Sequence, residues 1–236
     1  MSVRSMLGAA RRKVLPNRYY RDPQAYWEQR HAAFGDSAEG SGRLHMTDAD
    51  NQANYDEKWS HIREALDLVG ERGDLLDAGC GIGLFTQRFV DLGFTVTAID
   101  FTQTGIDLAK EAVEGDVAWV VSDLAGFRPG RTYPLVACID VTFHIVDDAA
   151  WLAAAQNLGR LAAGGLLVVQ DHLVDEPEPA PDPTAGVVHT RWRTLDDWQR
   201  ALGDAELVHH DHYLLPIEQA TKDVLAFRVP PQADLA

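Results

Sequence analysis

The sequence is poor in the features that mark secreted, membrane-spanning and nucleic-acid-binding proteins. Only two of its 236 residues are cysteines, Cys80 and Cys138, which fits a reducing cytoplasm, and we expect both to be small buried thiols. No apolar run approaches the ~20 residues of a membrane helix, and no secretory signal is visible. We therefore expect a cytoplasmic protein without a membrane partner.

Basic residues are also scarce, since 21 Lys and Arg face 36 Asp and Glu, giving a formal net charge of −15. Such a surface repels nucleic acid and anionic membrane, so tRNA, rRNA and DNA are disfavoured as substrates and a small molecule is favoured. The hydrophobic content of 46% is ordinary for a globular core. A chain of this length suits one α/β domain with an appended element or two.

One stretch, residues 75–100, organises the rest of the chain. A short apolar run ends in Asp77, and three alternating glycines follow, Gly79, Gly81 and Gly83. An apolar helical pattern comes next, and then a β-branched run that ends in Asp100. The order indicates a strand, a glycine turn, a helix and a second strand with a carboxylate at its tip.

This arrangement suits a nucleoside cofactor. Glycine allows positive φ angles and a close approach of ligand to backbone, and the free amides of the helix start point into the crevice at the strand ends. Asp100 can accept hydrogen bonds from both hydroxyls of a ribose. A tight turn in some other α/β protein is the alternative interpretation.

The spacing of the glycines distinguishes two cofactor families. The dinucleotide fingerprint is G-x-G-x-x-G/A, whereas this chain reads D-x-G-x-G-x-G from Asp77 to Gly83. That pattern resembles motif I of the class I S-adenosylmethionine-dependent methyltransferases, with Asp77 and the three glycines as cofactor-binding residues. A nicotinamide oxidoreductase is disfavoured by the same spacing.

The resemblance implies an α/β fold, a Rossmann-like seven-stranded and mostly parallel sheet with an antiparallel last strand and helices on both faces. Residues 1–50 would form an N-terminal helical cover and residues 51–236 the methyltransferase domain, with a substrate lid at about 173–193. The hydrophobic patterns of the sequence agree with this order. They predict helices at 51–69, 103–114, 148–163 and 195–202, and strands at 117–121, 135–139, 166–169, 206–215 and 223–229.

The resemblance also assigns cofactor contacts beyond Asp100. Phe101 can stack on the adenine face. Asp123 would meet the exocyclic amine of adenine and the backbone of Leu124 a ring nitrogen, although Asp123 can also be a plain turn residue. Asp140, at the end of the fourth strand, is expected near the methionine amino group of the cofactor.

The N-terminal region is rich in aromatic side chains. The stripe in residues 19–34 can be ordinary packing, but by the resemblance Tyr20, Trp27 and Arg30 are candidates to close the site, Arg30 by pairing with the methionine carboxylate. Residues 35–48 suggest a mobile hinge loop. Residues 3–14 form a short basic amphipathic pattern, which suits a docking helix or a frayed arm better than a membrane-surface or transit segment.

The expected chemistry lies near the fourth and fifth strands. His144 is a candidate general base for a substrate hydroxyl, and it can instead orient a loop or bind the cofactor. His172 is a second candidate, and Phe143 a substrate contact. Methyl transfer from a sulfonium is a direct displacement that depends more on alignment than on acid–base help.

Two further segments invite site hypotheses. Arg191 and Arg193 flank Trp192, which can clamp an anionic or planar substrate or can be a surface feature. His209, His210 and His212 surround Asp211 in the 206–215 strand. Strand alternation places His209 and Asp211 on one face and His210 and His212 on the other, and no partner motif lies nearby in the sequence. We therefore expect no metal site.

The sequence thus favours a small-molecule methyltransferase that consumes S-adenosyl-L-methionine, releases S-adenosyl-L-homocysteine and acts as a monomer or homodimer. Oxygen is the favoured acceptor, on a natural product, sugar or other polar metabolite. Carbon methylation of a quinol-like ring is an alternative, and a non-catalytic, cofactor-binding regulatory subunit is another.

Overall fold

The structure, a computed structural model, describes residues 22–35, 46–70, 72–179 and 189–231. Helices and strands alternate along most of the chain, as a parallel sheet requires. The helices are α1 (Pro23–Phe34), α2 (Asp48–Leu66), α3 (Leu84–Asp91), α4 (Gln103–Ala112), α5 (Asp148–Leu161) and α6 (Leu195–Leu202). The strands are β1 (Asp74–Ala78), β2 (Thr95–Asp100), β3 (Val117–Val121), β4 (Leu135–Ile139), β5 (Leu166–Asp171), β6 (Glu206–Leu215) and β7 (Ala220–Arg228).

The strands form one seven-stranded sheet in the order β3-β2-β1-β4-β5-β7-β6. The first five pair in parallel, whereas β7 runs antiparallel to both β5 and β6. This confirms the predicted mostly parallel sheet and its antiparallel edge hairpin. The parallel strands all end at one edge, here called the carboxyl edge, which is where open α/β sheets bind ligands.

Each face of the sheet carries its own hydrophobic core. On one face Leu76, Val136 and Leu167 pack against α5 and α6 through Trp151 and Trp198. On the other face Leu75, Leu135 and Val168 pack against α2 and α3 through Ile62 and Phe89. Residues that are neighbours in β1 thus enter opposite cores, as the two-residue period of a strand dictates. No helix within the described residues is long and apolar enough to cross a membrane.

Two capped helices frame the carboxyl edge. Asp22 accepts a hydrogen bond from the Ala25 amide at the start of α1, and Pro23 occupies a first-turn position where its missing amide hydrogen does no harm. Thr47 and Asp50 form a capping box at the start of α2. The basic pattern at 3–14 and most of the hinge at 35–48 lie outside the described residues.

Candidate functional site

A cavity of about 510 Å³ opens at the carboxyl edge. Its walls come from the segments that follow β1, β2, β3 and β4, and from α1 and α2. The volume falls within the roughly 300–1,000 Å³ of small-molecule pockets. Of the residues predicted as a site, the following line it: Trp27, Gly79, Gly81, Asp100, Phe101, Asp123, Leu124, Asp140 and His144.

The glycines of the turn after β1 carry no side chains, and two of them occupy positions where a side chain would not fit. Gly79 has a φ of +89°, and a Cβ there would lie 2.5 Å from a methyl carbon of Val141. Gly83 has a φ of +87°, and its Cβ would lie 2.6 Å from a methyl carbon of Val113. Any L side chain at either position would meet both strain and a clash.

Asp77 supports the turn and does not line the cavity. It is 2% exposed, and its Oδ2 accepts a hydrogen bond of 2.6 Å from the hydroxyl of Thr86 in α3. Burial raises the pKa of Asp77 to about 7, against which the Thr86 hydrogen bond acts. This carboxyl therefore links β1 to α3 beneath the glycine turn.

Asp100 is held in place by neutral donors. Its Oδ1 accepts hydrogen bonds from the amide and the hydroxyl of Thr102 at 2.9 and 2.6 Å. Its Oδ2 accepts one from the Gly81 amide at 3.0 Å. No cation pairs with it among the described residues, so the carboxylate is fixed in orientation and keeps its charge beside the cavity.

Helix α1 is latched onto this carboxylate through His31. Because the Thr102 hydroxyl donates its single proton to Asp100, its oxygen accepts from Nδ1 of His31, 3.1 Å away. Burial lowers the pKa of His31. Gly105 makes room for this contact, since a Cβ there would lie 2.5 Å from the Thr102 hydroxyl and 2.9 Å from His31 Nδ1.

Two further contacts fasten α1 to the end of β2. The Glu28 carboxylate accepts hydrogen bonds from the amides of Gln103 and Thr104, at 2.8 and 3.0 Å, at the start of α4. An acidic group there complements both the free amides and the helix dipole. The side-chain amide of Gln24 donates to the carbonyl of Phe101 at 2.8 Å.

The predicted closing residues of α1 differ in position. Trp27 lines the cavity, and its ring meets that of His144 edge to face at 5.1 Å. The Arg30 guanidinium lies 4.8 Å from the centre of the Trp27 ring and the residue is 7% exposed. Tyr20 lies outside the described residues.

The segment after β3 forms another wall. Asp123 Oδ1 accepts hydrogen bonds from the amides of Ala125 and Gly126, at 2.8 and 3.2 Å, and so closes a turn. The Leu124 carbonyl accepts a hydrogen bond of 2.6 Å from the Asn157 side chain. Asp123 thus lies on the cavity wall and also acts as a turn residue.

Asp140 is gripped by two lysines from distant elements. Lys58 of α2 reaches its Oδ2 at 2.5 Å and Lys222 of β7 its Oδ1 at 2.6 Å. Both lysines are buried, at 7% and 2% exposure. Although burial opposes it, the charge of Lys222 followed by that of Lys58 lowers the pKa of Asp140, and Asp140 has a φ of +60°. Asp tolerates this left-handed conformation better than most residues.

His144 is a neutral imidazole on the cavity wall. Burial lowers its pKa to about 4, against the hydrogen bond from its Nδ1 to the His189 carbonyl at 3.0 Å. A carbonyl only accepts, so Nδ1 carries the proton and Nε2 of the neutral ring carries the lone pair.

His172 does not line the cavity. Its ring stacks on Trp192 at 5.0 Å and meets Phe143 edge to face at 4.9 Å, and burial lowers its pKa to about 3. Phe143 is 4.2 Å from the Lys222 ammonium, measured to the ring centre. The three predicted residues Phe143, His172 and Trp192 therefore form one aromatic group beside Lys222.

The two arginines that flank Trp192 form ion pairs with a carboxylate of the protein itself. Arg191 and Arg193 both pair with Asp148 of α5, at 2.8 and 3.1 Å. Arg193 also lies 5.0 Å from the centre of the Trp151 ring, and Arg191 donates its amide to the Phe143 carbonyl at 2.8 Å. These contacts anchor the 189–194 segment next to β4, and Trp192 remains 38% exposed.

Known proteins share this architecture. The magnesium protoporphyrin IX methyltransferase from Synechocystis PCC 6803, solved with bound SAM, has a TM-score of 0.68 at 16% identity and covers 91% of this chain and 97% of its own. The N-methyltransferase NodS from Bradyrhizobium japonicum WM9, solved with S-adenosyl-L-homocysteine, has a TM-score of 0.60 at 19% identity, over 75% and 88%. The family model for a methyltransferase domain matches residues 51–217.

The chain belongs to the class I S-adenosylmethionine-dependent methyltransferases. The family membership establishes an enzyme whose cofactor is S-adenosylmethionine, as the glycine spacing had predicted. A curated relative, the ubiquinone biosynthesis O-methyltransferase of Xanthomonas euvesicatoria pv. vesicatoria (strain 85-10), is 34% identical over 113 residues, 45% of either chain. The chain spans about half the length of the curated relatives it matches.

Sequence reasoning missed several side chains that hold the carboxyl edge of this methyltransferase together. Lys58 lies between Tyr55 and Ile62 on the buried stripe of α2, and Lys222 shares a strand face with the buried Val224. A lysine on an apolar face was therefore the available signal. Glu28 and His31 gave no such signal, because their partners at the start of α4 are far away in sequence.

Proposed function

We propose that this methyltransferase methylates an oxygen atom of a small molecule, such as a natural product, a sugar or another polar metabolite. The observation that carries the proposal is His144, a neutral imidazole on the cavity wall with its lone pair on Nε2. Such a group can take the proton that a hydroxyl loses on methylation. The name of the O-methyltransferase relative points in the same direction.

The cavity suits the cofactor at each end. The glycines of the turn leave room for close approach to the backbone. Asp100, which pairs with no cation in the described part of the chain, would present its negative charge to ribose hydroxyls. Phe101, Asp123 and Leu124 would hold the adenine. When bound, S-adenosylmethionine supplies a methyl group on a sulfonium, which is transferred by direct displacement.

At the opposite end, Arg30 would meet the carboxylate of the cofactor's methionine part. Asp140, whose two oxygens are already paired with Lys58 and Lys222, would meet the amino group only through its remaining lone pairs. Trp27 would cover it together with Tyr20, as parts of an N-terminal cover of residues 1–50. The latch of His31, Glu28 and Gln24 onto the end of β2 supports this role, because it ties α1 to the ribose-binding carboxylate.

The acceptor would lie toward β4 and β5. We assign Phe143 and Trp192 to its aromatic contacts and His172 to the same group, with residues 173–193 as the lid of the 51–236 domain. Arg191 and Arg193, which share Asp148, would shape this lid, and they remain candidates for an anionic substrate only if that pair opens. The net charge of −15 argues against nucleic acid as a partner, and we expect a monomer or homodimer.

A labelled methyl donor, incubated with a panel of phenols, sugars and carboxylic acids, tests this function. Oxygen-methylated product is expected from the wild type, and His144→Ala should lose turnover while it retains S-adenosylhomocysteine affinity. The exposed His212→Ala is the matched control and should keep full turnover. Unchanged turnover in His144→Ala would remove the base, and product methylated on carbon or nitrogen would overturn oxygen as the acceptor.

A further inference from the structure

Three potential metal ligands converge where α2 crosses β6. They are Glu64 of α2 and His209 and Asp211 of β6, here called the seam cluster. One ligand atom from each lies within 4.8 Å of the others. The cluster is separate from the cavity, whose walls include none of these residues.

A β-bulge sets which face of β6 points toward α2. Leu207 pairs with Phe227 and His209 with Ala226, so Val208 is an extra residue in the strand. The alternation of side chains is reset there. His209 and Asp211 then share a face with Tyr213, which packs in the core beneath α2. The sequence predicted this shared face but not the third group, because Glu64 comes from a helix that is far away in the chain.

The seam cluster has coordination capacity that the protein leaves unused. Nε2 of His209 is buried and has no hydrogen-bond partner in the described part of the chain. Glu64 is exposed. Asp211 uses Oδ2 to accept a hydrogen bond of 2.6 Å from Nδ1 of His61, and its second carboxylate oxygen remains as a potential ligand atom.

Contacts with Tyr213 and Glu57 hold the His61 ring in place. Its ring stacks on Tyr213 at 3.7 Å with an interplanar angle of 13°, and its Nε2 lies 3.6 Å from Glu57 Oε1. A ligating carboxylate is commonly oriented by such an outer hydrogen bond. Tyr213, His61 and Asp211 thus form a preassembled support for one ligand of the seam cluster.

We propose that the seam cluster is a binding site for a divalent transition-metal ion, with Zn²⁺ as the ion that fits its donors. Imidazole nitrogen and carboxylate oxygen are zinc ligands, and three protein ligands leave a fourth position for water. The two carboxylates balance the charge of the ion. Glu64, His209 and Asp211 are the ligands and His61 is a positioning residue.

The opposite face of the same strand provides a contrast. His210 and His212 both point to Asp223 and bond its Oδ1 directly at 2.8 and 2.9 Å, while its Oδ2 accepts the Leu173 amide. Those histidines and that carboxylate already satisfy one another. A bound ion at the seam cluster would instead join α2 to β6, and α2 is the helix that carries Lys58 to Asp140.

The test is a Zn²⁺ titration of the full chain, free of any affinity tag and stripped with EDTA, in competition with a chromophoric chelator. One ion per chain is expected, together with a rise in melting temperature and visible d–d absorption when Co²⁺ replaces Zn²⁺. His209→Ala and Asp211→Asn should abolish the site, and His61→Phe, which keeps the stacked ring, should weaken it about 10- to 100-fold. His212→Ala is the matched control and should bind as the wild type does.

Circular dichroism checks that every variant is folded, and Glu64→Gln, on the exposed side of α2, replaces any variant that is not. The proposal is overturned if the wild type takes up no Zn²⁺. It is also overturned if the site persists in both ligand variants, or if it is lost in His212→Ala and kept in His209→Ala. Because none of these readouts uses methyl transfer, they are independent of the proposed function.

Discussion

The two halves of the carboxyl edge hold their key carboxylates in opposite ways. Asp100, at the end of β2, is bound among the described residues by neutral donors from Gly81 and Thr102, which are 19 and 2 positions away in the chain. Asp140, after β4, is bound by two ammonium groups, each 82 positions away. One carboxylate is held by backbone amides and a hydroxyl group from nearby in the chain, and the other by long-range ion pairs.

This difference predicts that Asp100 serves ligand binding and that Asp140 serves the stability of the fold. Neutral donors orient Asp100 without cancelling its charge, so the charge remains available to hydroxyl groups of a ligand. The lysines cancel the charge of Asp140 in a buried place, where an unpaired ion is expensive. We therefore expect substitutions at Asp100 to act mainly on cofactor affinity and substitutions at Asp140 mainly on folding.

The largest effect is expected from Asp140→Asn. Asparagine tolerates the positive φ, but it leaves two buried ammonium groups without their counter-charge. The free energy of unfolding should fall by about 3–5 kcal/mol, the usual range for breaking a buried ion pair, as measured by urea denaturation. Asp175→Asn, at an exposed carboxylate, is the control and should change little. A fall in the free energy of unfolding of less than about 1 kcal/mol would show that Lys58 and Lys222 do not need Asp140 as their counter-charge.

Asp100→Ala should have the next largest effect, and on a different quantity. Affinity for S-adenosylhomocysteine should fall by about 1–3 kcal/mol, the range for lost charge-assisted hydrogen bonds, as measured by calorimetry. Asp107→Ala, on the exposed side of α4, serves as its control. If Asp100→Ala proves more destabilising than Asp140→Asn in the absence of ligand, the division between the two halves is wrong.

Glu28→Gln should have the smallest effect. It weakens the cap on α4 without changing the size of the side chain, and should reduce stability by about 0.5–1 kcal/mol. Hydrogen exchange should accelerate at the amides of Gln103 and Thr104, which Glu28 now covers. Glu111→Gln, near the other end of α4, should leave both amides protected. Equal protection in the two variants would argue against the latch.

The sequence predicted the elements well wherever hydrophobic residues define them. The predicted strands at 117–121, 135–139 and 206–215 and the helix at 195–202 have the bounds found in the structure. The strand predicted at 166–169 stops at its last apolar residue, whereas β5 continues through Gln170 and Asp171, both fully buried. A strand end made of polar residues that are buried by tertiary contacts cannot be predicted from hydrophobicity.

In the candidate site, too, the local features were predictable from the sequence and the long-range contacts were not. The glycine turn and Asp100 form a local motif, and each predicted residue of it except Asp77 and Gly83 lines the cavity. The ion pairs of Asp140 and of Asp148 join elements that the chain brings together only on folding. Nothing in local spacing could have indicated that Arg191 and Arg193 meet on one helix residue.

Gly105 has a consequence for engineering this enzyme. Replacing a helical glycine by alanine is a routine route to thermostability, commonly gaining about 0.4–1 kcal/mol where the backbone allows it. Here the added methyl group would intrude on both His31 and Thr102. A Gly105→Ala substitution would therefore displace α1, so the gain in helix stability would come at the expense of the His31–Thr102 contact that holds α1 beside Asp100.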